Sequence, residues 1–323
     1  MAEQRVVGSG PDRLALLAFI SVVFLGGANA VAVKQTVQEL APFWGAAVRF
    51  GAAGLLLAAL VFAKGRAIPR GKSLWGAALY GLIGIGTSYA LGYVAIQDVP
   101  AGTLMVLIAL TPLFTFGLAI LHGQERFRLQ GLLGAVIAVL GIGIVFVDQL
   151  SANVPLLPLL LVLFMAAAIG ESAVIVKWIP RSDPFATNAV AMIAGTLLLL
   201  GLSLGVGEPR VAPSVPATWV SVAYLVVGGS VLMFTLFVFT LQRWTASAVS
   251  YVTLLMPLVT VALAFLFFGE GVTGSFALGS AVILAGVYVG AFLEYRPARS
   301  SASSLPECLP VDACAPQPAA VRR

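Results

Sequence analysis

Long apolar segments, separated by short polar ones, follow one another from residue 14 to residue 292 of this chain. A helix needs roughly 20 apolar residues to cross the hydrocarbon core of a bilayer, and backbone groups inside that core must be paired within helices or a closed barrel. The segments do not alternate apolar and polar residues as barrel strands do. We therefore predict an all-α integral membrane protein with ten transmembrane helices, over residues 14–33, 42–62, 74–95, 102–121, 130–147, 155–176, 184–204, 218–241, 247–268 and 274–292.

The basic residues are distributed unevenly between the two sides of this predicted bundle. If residues 1–13 are cytoplasmic, fifteen of the 18 Lys and Arg residues lie in cytoplasmic segments, only Lys34 and Arg210 lie outside, and Arg49 lies within a helix. Such a bias is the positive-inside signal. We therefore predict that both termini are cytoplasmic, with a disordered tail over residues 293–323, and we expect no nucleic-acid partner from the net charge of +5.

The two halves of the chain repeat each other. "GANAVAVK" at residues 27–34 returns as "GESAVIVK" at 170–177, with five of eight residues identical. "TPLFTFGLAILHGQE" at 111–125 returns as "MPLVTVALAFLFFGE" at 256–270, with seven of fifteen identical. Each copy, residues 14–147 and 155–292, contains five predicted helices, and an odd number makes the second copy enter the membrane from the opposite side. Inverted repeats of this kind are typical of secondary transporters, although a channel or a scaffold with a duplicated ancestor stays open as an alternative.

These motifs together resemble the EamA domains of the drug/metabolite transporter superfamily. The residues that carry the resemblance are "NAVAVK" at 29–34, "AAVRF" at 46–50, "LTPLFT" at 110–115 with "GQER" at 123–126, and "GSAVILAGVYVG" at 279–290. The resemblance implies ten helices around a central cavity, whose walls come mainly from helices one, three, four, six, eight and nine. It also implies alternating access and transport of small organic metabolites, often export of amino acids or related compounds.

One departure from the family pattern concerns the first helix. Many relatives carry a Trp-Gly pair before the asparagine, where this chain has Gly26 and Gly27. We expect the missing side chain to leave more room near the cavity.

Positions that both copies share indicate structural roles. Pro112 and Pro257 each remove a helix hydrogen bond and are expected to kink their helices. Four glycines recur at matching positions and predict close helix contacts: Gly134, Gly141, Gly279 and Gly286.

Positions at which the copies differ are the stronger candidates for function. Glu171 aligns with Ala28, and Arg49 aligns with Ala191. A charge deep in a helix costs about 2.5–3.5 kcal/mol on insertion scales, and the sister helix does without it. Glu171 would bind a substrate ammonium group or take up and release a coupling proton, or else bond a neighbouring polar group or reach the interface. Arg49 would contact substrate or serve the fold. Because the two charges lie at different depths, we expect no direct salt bridge between them.

Further candidate residues for the substrate site are uncharged. They are Asn29 and Ser172, which align with each other; Ser88 and Tyr89 in the third predicted helix; Phe234, which aligns with Tyr89; Thr111, which precedes the proline of the fourth helix; and Tyr251 in the ninth. Each of them would equally serve packing. His122, the one histidine of the chain, is interpreted as an interfacial residue.

No motif for catalysis, a metal or a cofactor is present in the sequence, and no phosphate-binding loop indicates ATP as the energy source. The prediction is therefore a non-enzymatic secondary transporter in the cytoplasmic membrane, with a small-molecule substrate, membrane lipid around it and a gradient as driving force. An importer, a membrane enzyme and an interaction protein remain the alternatives. The oligomeric state is left open.

Overall fold

The computed structural model describes residues 11–95, 98–99, 101–147, 155–268 and 274–293. The predicted tail, most of the N-terminal segment and Glu270 lie outside the described residues. The described chain forms ten helical spans: α1 Arg13–Thr36, α2 Pro42–Ala63, α3 Lys72–Ala95, α4 Ala101–Ile108 and Thr111–Leu121, α5 Leu129–Val145, α6 Leu156–Trp178, α7 Pro184–Val206, α8 Pro216–Leu241, α9 Ala246–Ser250 and Val252–Phe268, and α10 Gly274–Phe292. Nine of these described helices are long and apolar enough to cross a membrane, and α5, with 17 residues, is a shorter apolar helix. The predicted all-α membrane fold is confirmed.

Two of the spans are interrupted near their prolines. The two parts of α4 are separated after Ile108, and Pro112 occupies the first turn of the second part, where a missing backbone N–H costs least. In α9, Tyr251 separates a short first part from the longer second part that contains Pro257. Sequence reasoning predicted kinks in these helices and drew both as continuous.

A second irregularity is shared by the two repeats and was not predicted. α3 contains a π-helical turn at Leu82–Thr87, and α8 contains one at Val227–Leu232. The two turns are 145 residues apart, which is the offset at which Tyr89 aligns with Phe234. Turns of this type are rare and frequently lie at functional sites, because they release backbone groups from the helix ladder.

The inverted repeat is visible in the contact between α5 and α10. A Cβ atom built at Gly134 would lie 2.7 Å from the carbonyl oxygen of Gly286, and one built at Gly286 would lie 2.7 Å from that of Gly134. Gly141 and Gly279 form the second reciprocal pair, at 2.9 and 2.7 Å. The four glycines therefore let two helix backbones meet, as predicted.

Acidic residues of one repeat bind helix starts of the other at one end of the bundle. Glu208, after α7, accepts hydrogen bonds from the backbone N–H groups of Phe43 and Trp44 at the start of α2 (3.1 and 2.8 Å). Glu39, after α1, accepts from the backbone N–H of Ser214 (2.6 Å) and from the hydroxyl of Thr218 (2.8 Å) at the start of α8. Carboxylates suit these positions because the first N–H groups of a helix lack partners within it.

The outer surface of the bundle is apolar over much of its area. Leu121, Trp75 and Leu55 are 82%, 78% and 69% exposed in the isolated chain. Large apolar side chains in such numbers would be unfavourable in water, and they fit a surface that contacts lipid tails.

Candidate functional site

A cavity of about 160 Å³ lies between the two repeats. Its wall is formed by residues of α1, α3, α4, α6, α8 and α9, which are the six helices that the family resemblance implied. Of the predicted site residues, the cavity brings together Ser88, Tyr89, Thr111, Ser172 and Phe234. A site at the repeat interface fits a transporter whose halves rearrange around it.

Apolar groups dominate this wall. Its largest members are Tyr80, Tyr89, Phe234 and Phe237, together with the methionines Met165, Met233 and Met256. Among the described residues that form the wall, none carries a formal charge. Methionine and aromatic side chains adapt to bulky apolar groups, so the cavity is chemically suited to the apolar part of a solute.

The wall also contains five serine and threonine hydroxyl groups, and each of these five already donates a hydrogen bond. In every case the acceptor is a backbone carbonyl three or four residues earlier in the chain, at 2.5–2.8 Å. Such local bonds satisfy a hydroxyl inside a membrane helix. The donors committed in this way belong to Ser88, Thr111, Ser172, Ser250 and Thr253.

Arg49 and Asn29 do not form part of the cavity wall and instead bind the π-turn of α8. Arg49 is 4% exposed; its Nη2 donates to the carbonyl oxygen of Gly229 and its Nε to the hydroxyl of Ser230, both at 2.8 Å. Asn29 Nδ2 donates to the same carbonyl at 3.3 Å, and its Oδ1 is buried without a partner. The guanidinium also lies 5.6 Å from the ring centre of Tyr89, which is a residue of the cavity wall.

Glu171 also lies beside the cavity rather than in its wall. Its Oε1 is 3.5 Å from Nε2 of His122 at the end of α4, and its Oε2 is buried without a hydrogen-bond partner. The interpretation of His122 as a merely interfacial residue is therefore incomplete, since the half-exposed imidazole faces this carboxylate. The prediction that Glu171 and Arg49 do not pair is confirmed, because each binds other groups.

Two further expectations are changed by the structure. Tyr251 is 2% exposed and donates a hydrogen bond to the carbonyl oxygen of Gly131 in α5, at 3.3 Å, so it packs away from the cavity.

Gly26 and Gly27 leave no additional room beside α1, because α9 fills the space. A Cβ atom at Gly27 would lie 2.6 Å from Val259, and one at Gly26 would overlap the side chain of Met256. The small residues bring α1 against α9.

Sequence reasoning missed several parts of the wall. Met165, Met233 and Met256 resemble ordinary apolar residues of a membrane helix, and no sequence pattern distinguishes them. Tyr80 did leave a signal, since the residue at its place in the second repeat is Leu225. A polar group that only one copy carries was the criterion that selected Glu171 and Arg49, and it applies equally to Tyr80.

Comparison with known proteins connects this geometry to a family. The model of the EamA-like transporter family matches residues 13–147 and 156–291. An uncharacterized inner membrane transporter, YedA, of Escherichia coli K12 is 27% identical over 76% of this chain and 80% of its own. A probable amino-acid metabolite efflux pump of Salmonella typhimurium is 26% identical over 84% of this chain and 92% of its own.

Similarity is also found to a plant protein and to a crystal structure. A WAT1-related chloroplastic protein of Arabidopsis thaliana is 26% identical over 85% of this chain and 69% of its own. A crystal structure of 20% sequence identity superposes with a TM-score of 0.75 and covers 87% of this chain and 98% of that one. At this identity the superposition supports the fold alone.

Proposed function

Because the chain belongs to the EamA-like transporter family, we propose that it exports small organic metabolites, amino acids or related compounds, by alternating access. The observation that carries the proposal is the cavity at the interface of the two inverted repeats. Two related halves that face opposite ways can exchange conformations and so open one site to each side in turn. The similarity to a probable amino-acid metabolite efflux pump of Salmonella typhimurium supports the outward direction and the substrate class.

The proposed setting is the cytoplasmic membrane with both termini in the cytoplasm. The distribution of Lys and Arg supports this orientation. It places the loops between α2 and α3, α4 and α5, α6 and α7, and α8 and α9 on the cytoplasmic side.

Glu171 is proposed as the group that couples transport to a proton. Its carboxylate neighbours the cavity residue Ser172 along α6, and it faces His122 on α4. A proton bound at this pair would change the attraction between two helices that both contribute to the cavity wall. Because Glu171 lies outside the wall, this role is favoured over direct contact with a substrate ammonium group.

The test compares culture media of cells that produce wild type, the Glu171→Gln variant or no transporter, at matched membrane abundance. We expect a metabolite that accumulates outside only with wild type, and at least about tenfold slower release with Glu171→Gln. The substitution keeps the size of the side chain and removes its proton chemistry. Equal release by both proteins would contradict the coupling role. Faster disappearance of a solute from the medium would favour an importer, and no movement at all would favour a non-transporting function such as an enzyme.

A further inference from the structure

The six helices of the cavity wall pack as two groups of three. In the first group, a Cβ atom at Gly84 of α3 would lie 2.5 Å from that of Ser172 in α6, and Gln124 after α4 donates to the carbonyl oxygen of Val174 in α6 at 2.9 Å. In the second group, α1 packs against both α8 and α9. Both groups line the cavity, so a contact that joins them can close one of its ends.

Glu125 joins the two groups where α4 ends and α9 begins. Its Oε1 accepts a hydrogen bond from the backbone N–H of Ser247 at 3.1 Å, and its Oε2 accepts one from the hydroxyl of the same serine. Ser247 is 6% exposed, so little water competes for these bonds. Hydrogen bonds to a carboxylate are roughly twice as strong as those between neutral groups. The pair therefore holds the end of α4 against the start of α9.

Lys177, near the end of α6, adds a second contact between the groups. Its Nζ donates to the carbonyl oxygen of Trp244 in the α8–α9 loop at 2.9 Å, and the ammonium interacts electrostatically with Glu125. The buried ring of Trp244 packs edge-on against Phe19 of α1 and Phe292 of α10, with 5.4 Å between ring centres in both pairs. Two charged side chains of the first group thus hold one well-packed loop of the second.

The turn after α4 fixes the position of Glu125. Gly123 has a φ of +68°, and the backbone N–H groups of Gly123 and Gln124 donate to the carbonyl oxygens of Ile120 and Ala119 at 2.9 and 2.8 Å. This is the Schellman arrangement, in which glycine takes the left-handed position. The side chain of Gln124 bonds the same turn to α6. The carboxylate is therefore preorganised to bind the start of α9.

This contact lies about one helical turn from the cavity, or ~5 Å. On α9, the hydroxyl of the wall residue Ser250 donates to the carbonyl oxygen of Ser247 at 2.6 Å. On α6, the wall residue Ala173 lies four residues before Lys177. Separating Glu125 from Ser247 would therefore open the cavity towards the side of the membrane on which α4 ends.

The hydroxyl in this contact belongs to one repeat only. Ser247 aligns with Gly102 at the start of α4, which has no side chain that could donate. A helix start of this kind therefore forms without the hydroxyl in the first repeat. A polar group that only one copy carries favours a role in function over a role in the fold.

We propose that Glu125 and Ser247 form the cytoplasmic gate of the cavity, with Lys177 as a second contact on the same loop. The inference rests on the proposed function and its orientation, and it adds which contact must break before a cytoplasmic solute can enter. Because the contact is intact, this structure is closed towards the cytoplasm. Glu125 is a positioning residue, since it acts on the helices and not on the solute.

The test measures how fast a thiol in the cavity reacts with a membrane-impermeant maleimide from each side. Thr253→Cys places the thiol in the wall on α9, in a full chain whose Cys308 and Cys314 are replaced by serine. Inside-out vesicles present the cytoplasmic face, and right-side-out vesicles present the outer face. We expect Glu125→Gln to raise cytoplasmic labelling at least about fivefold, because a neutral amide binds Ser247 less tightly and more molecules are open. Outer labelling should stay equal or fall.

Ser247→Ala is the milder variant, because it removes the hydroxyl and keeps the backbone N–H. It should raise cytoplasmic labelling about twofold, and the double variant with Glu125→Gln should fall short of the product of the two single effects, since both act on one contact. Glu39→Gln is the matched control. Its carboxylate also binds a helix start of the other repeat, but at the opposite end of the bundle, so cytoplasmic labelling should not change.

Unchanged cytoplasmic labelling of Glu125→Gln would overturn the proposal. A rise from both faces would also overturn it, because general loosening of the fold produces that result, and so would an equal rise in Glu39→Gln. If Glu125→Gln does not reach the membrane, Ser247→Ala decides the question by the same criteria.

The export assay separates this inference from the function on which it rests. If wild type releases a metabolite and Glu125→Gln is labelled like wild type, the gate fails and export stands. If Glu125→Gln opens the cavity to the cytoplasm and wild type releases no metabolite, the gate stands and export fails.

Discussion

The interface between α2 and α8 and the interface between α7 and α3 are related by the repeat, yet they are built differently. At the first, Arg49 of α2 reaches across to Gly229 and Ser230 of the π-turn. At the second, Ala191 takes the place of Arg49, and Gly81 of α3 packs so closely that a Cβ atom there would overlap the carbonyl oxygen of Ala191. One pair of helices is bridged by a long side chain, and the other meets backbone to backbone.

This difference is in keeping with the alternating access that we propose for the chain. Two identical repeats in identical conformations would present the same opening to both sides of the membrane, whereas alternating access needs related interfaces in unlike states. Among the hydrogen bonds of the described residues, separating the π-turn of α8 from its neighbours breaks three, from Asn29 and Arg49. The π-turn of α3 is bonded within its own helix, through Ser88 and Gly84.

The largest effect is expected from breaking the close contact of α3 with α7. Gly81→Ala should lower the free energy of unfolding by about 3 kcal/mol, because the added methyl group meets backbone rather than a movable side chain. Gly143→Ala in α5 is the control, since nothing lies within 4 Å of its added Cβ. Thermal unfolding in detergent measures both variants, and equal stability of the two would contradict the close contact.

A smaller loss is expected from removing the bridge between α2 and α8. Arg49→Met keeps an apolar chain and should cost about 2 kcal/mol, because the carbonyl of Gly229 and the hydroxyl of Ser230 lose a buried donor. Ser88→Ala, which removes the local bond in the matching turn of α3, should cost about 0.5 kcal/mol. If the two variants unfold alike, the two interfaces do not differ in the way described.

The smallest effect concerns the loop contact between the repeats at Glu39. Hydrogen bonding, chiefly from the backbone N–H of Ser214, lowers the pKa of Glu39 below its usual value. Because the folded-state pKa is the lower one, the carboxylate stabilises the fold at neutral pH and this contribution is lost as the pH falls through that pKa. Glu39→Gln should therefore melt slightly below wild type at pH 7, and the gap should close on acidification.

Glu208→Gln provides the comparison at the other helix start. Both substitutions remove a charge that binds backbone N–H groups across the repeat boundary. A difference between wild type and Glu39→Gln that stays constant from pH 7 to pH 3 would show that the charge of Glu39 does not act in this way.

The architecture could be predicted because the length of the apolar segments, the basic residues between them and the internal repeat can all be read from the order of the residues. It found five wall residues because polar or aromatic side chains in the middle of these helices face inward. The π-turns escaped it, since "LIGIGT" and "VGGSVL" are indistinguishable from ordinary glycine-rich packing segments. The partners of Arg49 escaped it for another reason: they lie 180 and 181 residues away, and one of them is a backbone carbonyl. The contact of His122 with Glu171 escaped it because a helix end does not reveal which neighbouring helix it faces.

Glu208 and Glu39, each of which binds a helix start of the other repeat, also set an order of events during synthesis. The backbone N–H of Phe43 waits for Glu208, which is made 165 residues later. At 5–20 residues per second, that interval is about 8–33 s. During this interval the start of α2 lacks its final partner Glu208. Glu39 likewise lacks its partner Ser214 until that residue is made. The first repeat therefore cannot form these contacts until the second repeat has been synthesised and packs against it.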